Sequence, residues 1–198
     1  MKTPGIVVLV FAVLVGGEVR AQNAGVISVY SDPGGFDCIL WDDTPGEKQV
    51  YIVHTLIPCA MGSRFKVVQS PGVTLTYVSE QIHVGYSVGN TQTGISLCYA
   101  PLTETPLLLA TLTYTGPGTS VAGSEIKVVD HPESGTIEVI DCFGGSGAAE
   151  GGNLILNCSI FDCSCSITSY GLPQTPFDFC QPVSTEATTW GAVKALYQ

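Results

Sequence analysis

Short segments in which apolar and polar residues alternate recur about every ten residues along most of this chain, with turn residues between them. The predicted strands span residues 25–31, 36–42, 48–56, 64–69, 73–79, 81–88, 94–100, 106–115, 125–130, 136–142 and 153–158. In the segment 81–88, for example, Ile82, Val84, Tyr86 and Val88 share the face expected to point inward. Because no helical period separates the segments, the pattern predicts an all-β fold. The expected architecture is an antiparallel β-sandwich of jelly-roll or immunoglobulin-like type.

The composition supports strands and turns and excludes some classes of partner. Only 12% of the 198 residues are charged, whereas the chain has 23 glycines and 12 prolines, which is untypical of a helical bundle. The net charge of −10 disfavours nucleic acid, since its binding depends on lysine and arginine neutralising phosphates. The same charge disfavours adhesion to anionic lipid.

The first 21 residues have the pattern of an export signal. Lys2 precedes the apolar run 6–15, and the Val-Arg-Ala sequence at 19–21 is an acceptable cleavage site. A membrane-spanning helix needs about 20 apolar residues, which is more than this run provides. The chain is therefore expected to be secreted or held at the cell surface, with residues 1–21 as a signal peptide and no membrane span.

All of the cysteines follow the predicted signal, and an even number of them in an exported protein indicates disulfide bonds. They are Cys38, Cys59, Cys98, Cys142, Cys158, Cys163, Cys165 and Cys180. No C-x-x-C pair is present, so the spacing favours neither a zinc site nor a redox centre. Cys142 and Cys158 bracket a Gly-rich stretch of a length that a bridge closes well, and they are the favoured pair. Cys38 with Cys59 is the next expected pair.

The strand 94–100 suggests a further bridge. Apolar residues alternate there with Cys98, which should therefore face outward from the sheet. Its expected partner is Cys163 or Cys165, and the other of these two would then pair with Cys180.

The strand pattern ends near Cys158, and a Cys-, Ser- and Pro-rich stretch without a clear period follows it. We expect a β-sandwich domain at 22–158 and an irregular disulfide-rich strap at 159–187 packed on the sandwich. A short amphipathic tail is expected at 188–198. A glycosylation sequon begins at Asn157 and matters only in a host that has that machinery.

The tail predicts a short C-terminal helix. Trp190, Val193 and Tyr197 fall on one apolar stripe of such a helix. Because so short a helix is not stable alone in water, the stripe should dock on the sandwich or be recognised by a partner.

Two local features lie near the end of the sandwich. The segments 125–130 and 136–142 are predicted to form a hairpin, with Pro132 and Gly135 shaping its turn. The Gly-rich residues 143–153 lack the spacing of a phosphate-binding loop and are predicted to be a flexible connection between strands.

Several acidic residues and an aromatic residue surround two turns near the start of the sandwich. This candidate ligand or calcium site consists of Asp32, Asp37, Trp41, Asp42 and Asp43. Calcium binds several oxygens from flexible loops, but the twelve-residue calcium loop is not matched, so acids that serve the turns are the commoner interpretation. The indole beside carboxylates would suit a glycan, although large aromatic residues are more often in the core. No cofactor other than calcium is suggested.

Signals for catalysis are weak. His54, His83 and His131 are far apart in sequence, and no nucleophile motif accompanies them, so structural or solvated roles are favoured. Carboxylates near strand ends could form the acid pair of a glycoside-type hydrolase, which stays open as the alternative function. The candidate pairs are Asp42 with Asp43, Asp130 with Glu133, and Glu138 with Asp141. The chain is expected not to be an enzyme.

The stretches "VGNTQTGISLCYAPL", "LLLATLTY" and "SGTIEVIDC" resemble a group of uncharacterised secreted bacterial proteins that end in a tail like "TTWGAVKALY". This resemblance implies export, bacterial origin and a tail that serves attachment or sorting. The order of a turn, a Gly-led strand and a long apolar strand is also similar to cohesin-like sandwich modules. Together they imply a disulfide-stabilised binding or structural module at or outside the cell surface, with a protein or a glycan as its partner.

Overall fold

The computed structural model describes residues 24–55, 59–99 and 106–158, and the regular elements in these ranges are β-strands. They are β1 (Val26–Tyr30), β2 (Ile39–Leu40), β3 (Gly46–Thr55), β4 (Ala60–Gln69), β5 (Thr76–Ile82), β6 (Tyr86–Asn90), β7 (Gly94–Cys98), β8 (Leu107–Gly116), β9 (Glu125–Val129), β10 (Glu138–Asp141), β11 (Ser146–Ala148), β12 (Glu150–Gly151) and β13 (Asn153–Leu156). The predicted fold class, an all-β sandwich, is confirmed. In these ranges, no helix is long and apolar enough to cross a membrane.

The first sheet has the strand order β12-β1-β3-β8-β5, and its centre is the long antiparallel pair β3–β8. The second sheet has the order β11-β10-β4-β9-β13-β2, with β7 also pairing β4 and β6 pairing β7. Two pairs, β1–β12 and β2–β13, are parallel rather than antiparallel. Both form because the end of the described chain lies beside its first strands, a long-range placement that local alternation does not reveal.

The core lies between the two sheets and follows the predicted alternation closely. Fully or almost fully buried apolar side chains come from both sheets. They include Ile27, Val29, Val50, Ile52, Leu112 and Tyr114 from the first sheet and Phe65, Val67, Ile95, Leu97, Ile126 and Leu154 from the second. Burial of such side chains is the main favourable term in folding, so these residues fix which face of each strand is turned inward.

The hairpin predicted for 125–130 and 136–142 is wrong. β9 pairs with Lys66–Gln69 of β4, and β10 pairs with the preceding stretch of the same strand, so β9 and β10 lie end to end. The intervening turn closes on itself, because the Gly135 N–H donates to the His131 carbonyl at 2.8 Å. The turn residues were correctly predicted there, but the turn places β10 in line with β9 and not beside it.

Two strand boundaries also differ from the prediction. The segment 81–88 is divided, since β5 ends at Ile82 in the first sheet and β6 begins at Tyr86 in the second. Tyr86 and Val88 therefore face solvent instead of the core. The segment 36–42 forms a ladder only at Ile39–Leu40, and the Gly-rich residues 143–153 contribute the short strands β11 and β12.

Candidate functional site

The outer surface of the second sheet aligns two rows of side chains across β6, β7, β4, β10 and β11. Residues directly opposite each other in paired strands point to the same side of a sheet. The first row is Tyr86, Cys98, Gly62, Ile140 and Ser146. The second row is Val88, Ser96, Arg64, Glu138 and Ala148. With strands about 4.8 Å apart, each row spans about 19 Å. We call this surface the β6–β11 face.

Large apolar side chains stand on both sides of this face, and the small residues Cys98 and Gly62 lie between them in the first row. Tyr86 is 80% exposed and Val88 is 76% exposed on one side, and Ile140 is 37% exposed on the other. Phe143, in the turn that follows β10, is 93% exposed. Soluble domains seldom group exposed aromatic and aliphatic residues on one surface unless that surface binds something.

Gly62 leaves the centre of the first row without a side chain. A Cβ atom built at this position would lie 2.6 Å from the carbonyl oxygen of Leu97 on the neighbouring strand β7. A larger residue would therefore push β4 and β7 apart, which explains a glycine inside a strand. The first row therefore has no side chain between Cys98 and Ile140.

The face also carries one ion pair. Arg64 Nη1 and Glu138 Oε2 are 3.7 Å apart on neighbouring strands. Both side chains are partly exposed, so the pair adds little to stability. Glu138 is thereby engaged with Arg64 and not with Asp141, with which it was a candidate catalytic pair.

The disulfide pairing differs from both favoured pairs of the sequence analysis. Cys59 is bonded to Cys142, with 5.6 Å between their Cα atoms, so Cys142–Cys158 and Cys38–Cys59 are wrong. Asp141 pairs with Ala60 at the end of the antiparallel β4–β10 ladder, which brings Cys142, just after β10, opposite Cys59, just before β4. Cys38 and Cys158 are disulfide-bonded as well.

Cys98 faces outward, as predicted, but it is a free, exposed cysteine. The predicted bond to Cys163 or Cys165 is therefore absent from the structure, and those two residues lie outside its described ranges together with Cys180. The register explains the surroundings of the thiol: its neighbours on the face are Tyr86 and Gly62.

Among the candidate calcium ligands, Asp32 and Asp37 serve the turn that they begin and end. The Asp32 carboxylate accepts the N–H groups of Gly34 at 2.8 Å, Phe36 at 2.9 Å and Asp37 at 2.6 Å. Asp37 Oδ1 accepts the Ile39 N–H at 2.9 Å. These contacts favour the interpretation as turn acids.

Asp42 is fully buried and belongs to a different arrangement. Its Oδ2 accepts both the hydroxyl and the backbone N–H of Ser120. Asn157 Oδ1 accepts the Asp42 N–H, and Asn157 Nδ2 donates to the carbonyls of Asp42 at 3.0 Å and Ser120 at 2.7 Å. These three residues, which we call the Asn157 clasp, tie the exit of β13 to two distant loops. The amide nitrogen of the predicted glycosylation sequon is thus occupied in the folded chain.

Trp41 and Asp43 lie on the surface on either side of buried Asp42. Trp41 is 55% exposed, so the expectation that it belongs to the core is wrong. It follows the end of the short strand β2, beyond the ladder that would have covered it. In the ranges that the structure describes, no three His, Cys, Asp or Glu residues converge in an arrangement that could hold a metal ion.

His54 is fully buried and connects the two sheets. Its Nε2 lies 2.8 Å from the Ala24 carbonyl, and its Nδ1 lies 3.3 Å from the Tyr99 hydroxyl. Tyr99 Oη is in turn 2.6 Å from Ser63 Oγ. Burial lowers the pKa of His54 to about 4, so the imidazole is neutral near pH 7. Since Nε2 faces a carbonyl, it carries the proton.

The other candidate catalytic residues also have local partners. His83 Nε2 lies 2.8 Å from Thr111 Oγ1, and His131 Nδ1 accepts the Glu133 N–H at 3.3 Å. Asp141 Oδ1 accepts the N–H groups of the turn that follows β10. The three histidines occupy separate places, and none of them joins a carboxylate in the contacts described. The predicted tail residues Trp190, Val193 and Tyr197 lie outside the described ranges.

The Asn157 clasp leads to a stability prediction. Replacing Asn157 by Asp should lower the free energy of unfolding by about 2 kcal/mol, because a carboxylate cannot donate to the two carbonyls that face it. Urea denaturation of the variant and the native chain measures the change. Gln81→Glu, an amide-to-carboxylate change at an exposed position of β5, is the control. An equal loss in both variants would contradict a special role for the clasp.

Comparisons with known proteins give a likeness of fold and no family. No protein-family model matches the chain, and no curated protein matches it. Among solved structures, it is similar to the sixth cohesin of Acetivibrio cellulolyticus scaffoldin B, determined in complex with a Cel5 dockerin mutant. The identity is 13%, the TM-score is 0.46, and the match covers 69% of this chain and 100% of that one.

Two further structures extend this likeness. One is the cohesin module of a Clostridium perfringens family 33 glycoside hydrolase, with 7% identity, TM-score 0.48 and coverage of 70% of this chain and 100% of that one. The other is a non-cellulosomal cohesin from Archaeoglobus fulgidus, with 11% identity, TM-score 0.41 and coverage of 66% and 89%.

Proposed function

We propose that this chain is a secreted, disulfide-stabilised binding module that docks a protein partner on the β6–β11 face, without catalysis of its own. The observation that carries the proposal is the shared orientation of Tyr86, Val88 and Ile140, which are large, apolar and exposed on one sheet surface. Exposed tyrosine and aliphatic side chains beside small residues are typical of protein-binding surfaces.

The shape of the face suggests what the partner presents. The first row has no side chain at Gly62, between Cys98 and Ile140, whereas Arg64 occupies the centre of the second row. A ridge of apolar side chains, such as one side of an amphipathic helix, would fit along the first row. The Arg64–Glu138 pair then offers polar contacts beside that ridge.

An extracellular location fits both the predicted signal at 1–21 and the Cys59–Cys142 bond, since disulfides persist in oxidising surroundings. The exposed Trp41 leaves a glycan as a second possible ligand at another place, but it stands apart from the aligned rows of the β6–β11 face. We therefore assign the main function to the protein-binding face.

The test introduces a negative charge at exposed apolar positions on the face and at a control position outside it. The native chain should capture a partner from extracellular fractions of its source, and the purified partner should then be titrated against purified variants by calorimetry. Tyr86→Asp and Val88→Asp should each weaken binding at least about 30-fold, because each would place a carboxylate where the proposed interface buries an apolar side chain. Val78→Asp, an exposed valine of β5 in the other sheet, is the control and should change affinity less than about twofold.

Undiminished binding by Tyr86→Asp and Val88→Asp would overturn the assignment of the face. Thermal unfolding of each variant shows whether the sandwich is intact. These side chains are exposed, so a loss of affinity with unchanged unfolding reports on the interface.

A further inference from the structure

A separate cavity of about 210 Å³ opens at a corner of the sandwich, between β9 and the end of the Gly-rich stretch. Its apolar lining includes Val128, Ile137 and Ala149, and the acidic residues Asp130 and Glu150 also belong to the lining. None of these residues belongs to the two rows of the β6–β11 face.

The cavity exists because the chain changes sheets at this point. The Ala149 N–H donates to the Ile137 carbonyl beside the second sheet, and the Glu150 N–H donates to the Gly25 carbonyl beside the first. The crossing backbone therefore leaves a gap between the sheets. Gly151 allows the crossing backbone to pass close to β9, since a Cβ atom there would lie 2.6 Å from Ile137 Cδ1 and 2.5 Å from the Val128 carbonyl oxygen.

The size and charge of the cavity limit what can occupy it. Pockets for drug-sized ligands usually measure 300–1,000 Å³, so about 210 Å³ suits a single side chain. Asp130 and Glu150 are exposed, and the ion pair found among the described residues joins Arg64 and Glu138 instead. Two carboxylates without a cationic partner in the described structure, beside an apolar wall, complement an aliphatic stem that ends in a positive charge.

We propose that this cavity binds a lysine or arginine side chain of a protein partner. The stem contacts Val128, Ile137 and Ala149, and the cationic head lies between Asp130 and Glu150. This inference rests on the proposed function only in that the side chain belongs to a protein. The net charge of −10 strengthens the attraction of a cationic group to the chain as a whole.

The experiment needs no natural partner, so its outcome is independent of the β6–β11 face. Isotope-labelled full chain is titrated with N-acetyl-arginine amide, N-acetyl-lysine amide and the neutral N-acetyl-norleucine amide, and amide NMR shifts are followed. At least one cationic probe should move the amides of 128–130 and 149–151 in a saturable manner. It should bind at least about fivefold more tightly than the neutral probe, and more weakly at high salt.

Matched variants locate the effect. Asp130→Asn combined with Glu150→Gln should reduce the affinity for the cationic probe at least about fivefold. Glu133→Gln, an exposed acid in the neighbouring turn, should leave it unchanged. Equal binding of the neutral probe, no saturable shift at these amides, or full binding by the double variant would each overturn the proposal.

Discussion

Replacing both Cys59 and Cys142 by serine is expected to lower the free energy of unfolding by roughly 4–5 kcal/mol. The bond joins residues 83 positions apart, and a cross-link over so long a loop removes much of the conformational entropy of the unfolded chain. It also fixes the end of the β4–β10 ladder, on which Ile140 and Glu138 of the β6–β11 face depend. Urea denaturation of the double variant and the native chain measures the difference.

Cys98→Ser is the matched control for this experiment. Cys98 is exposed and free, so its replacement should change the free energy of unfolding by less than about 0.5 kcal/mol. If the double variant were no less stable than Cys98→Ser, the assigned bond would not hold the sandwich together.

Acidification should destabilise the sandwich through His54. Burial lowers the pKa of this imidazole from its ordinary value of 6.5 to about 4. Between these two pH values the unfolded chain binds a proton that the folded chain does not, so stability falls as the pH is lowered. The free energy of unfolding has its full value above pH 6.5, and it is lower by roughly 3 kcal/mol at pH 4.

Comparison with a His54 variant separates the titration of this residue from the titration of the acidic side chains. The free energy of unfolding of the native chain minus that of His54→Gln should decrease by roughly 3 kcal/mol between pH 7 and pH 4, since glutamine does not titrate. A constant difference for His54 would mean that the buried ring is charged in the fold or is hydrated.

Alternation was sufficient to predict the sandwich because most strands bury one face. The alternation correctly predicted that Ile95 and Leu97 point inward and that Cys98 points outward. It could not predict that Tyr86 and Val88 are exposed, because Ile82 and Tyr86 have the same parity in the sequence but lie in different sheets. Gly85, between the two halves of 81–88, was the available signal for a break.

Long-range partners account for the remaining differences. The Cys59–Cys142 bond depends on the register of β4 and β10, and Asn157 reaches Asp42 over 115 positions. Local spacing favours short loops, as it did for Cys142 with Cys158, whereas the folded sheet brings distant residues opposite each other. The cavity at Asp130 and Glu150 arises where the chain crosses from the second sheet to the first. No local sequence pattern indicates such a crossing.

The central claim, that a partner docks on the β6–β11 face, can be tested through Cys98, which lies in the first row between Tyr86 and Gly62. The rate of its alkylation by iodoacetamide is measured in the free chain and with saturating purified partner, and mass spectrometry of the Cys98 peptide separates it from other thiols. The free chain should react readily, and the bound chain should react at least about tenfold more slowly, because interfaces exclude water and reagents. An unchanged rate at saturation would contradict the claim.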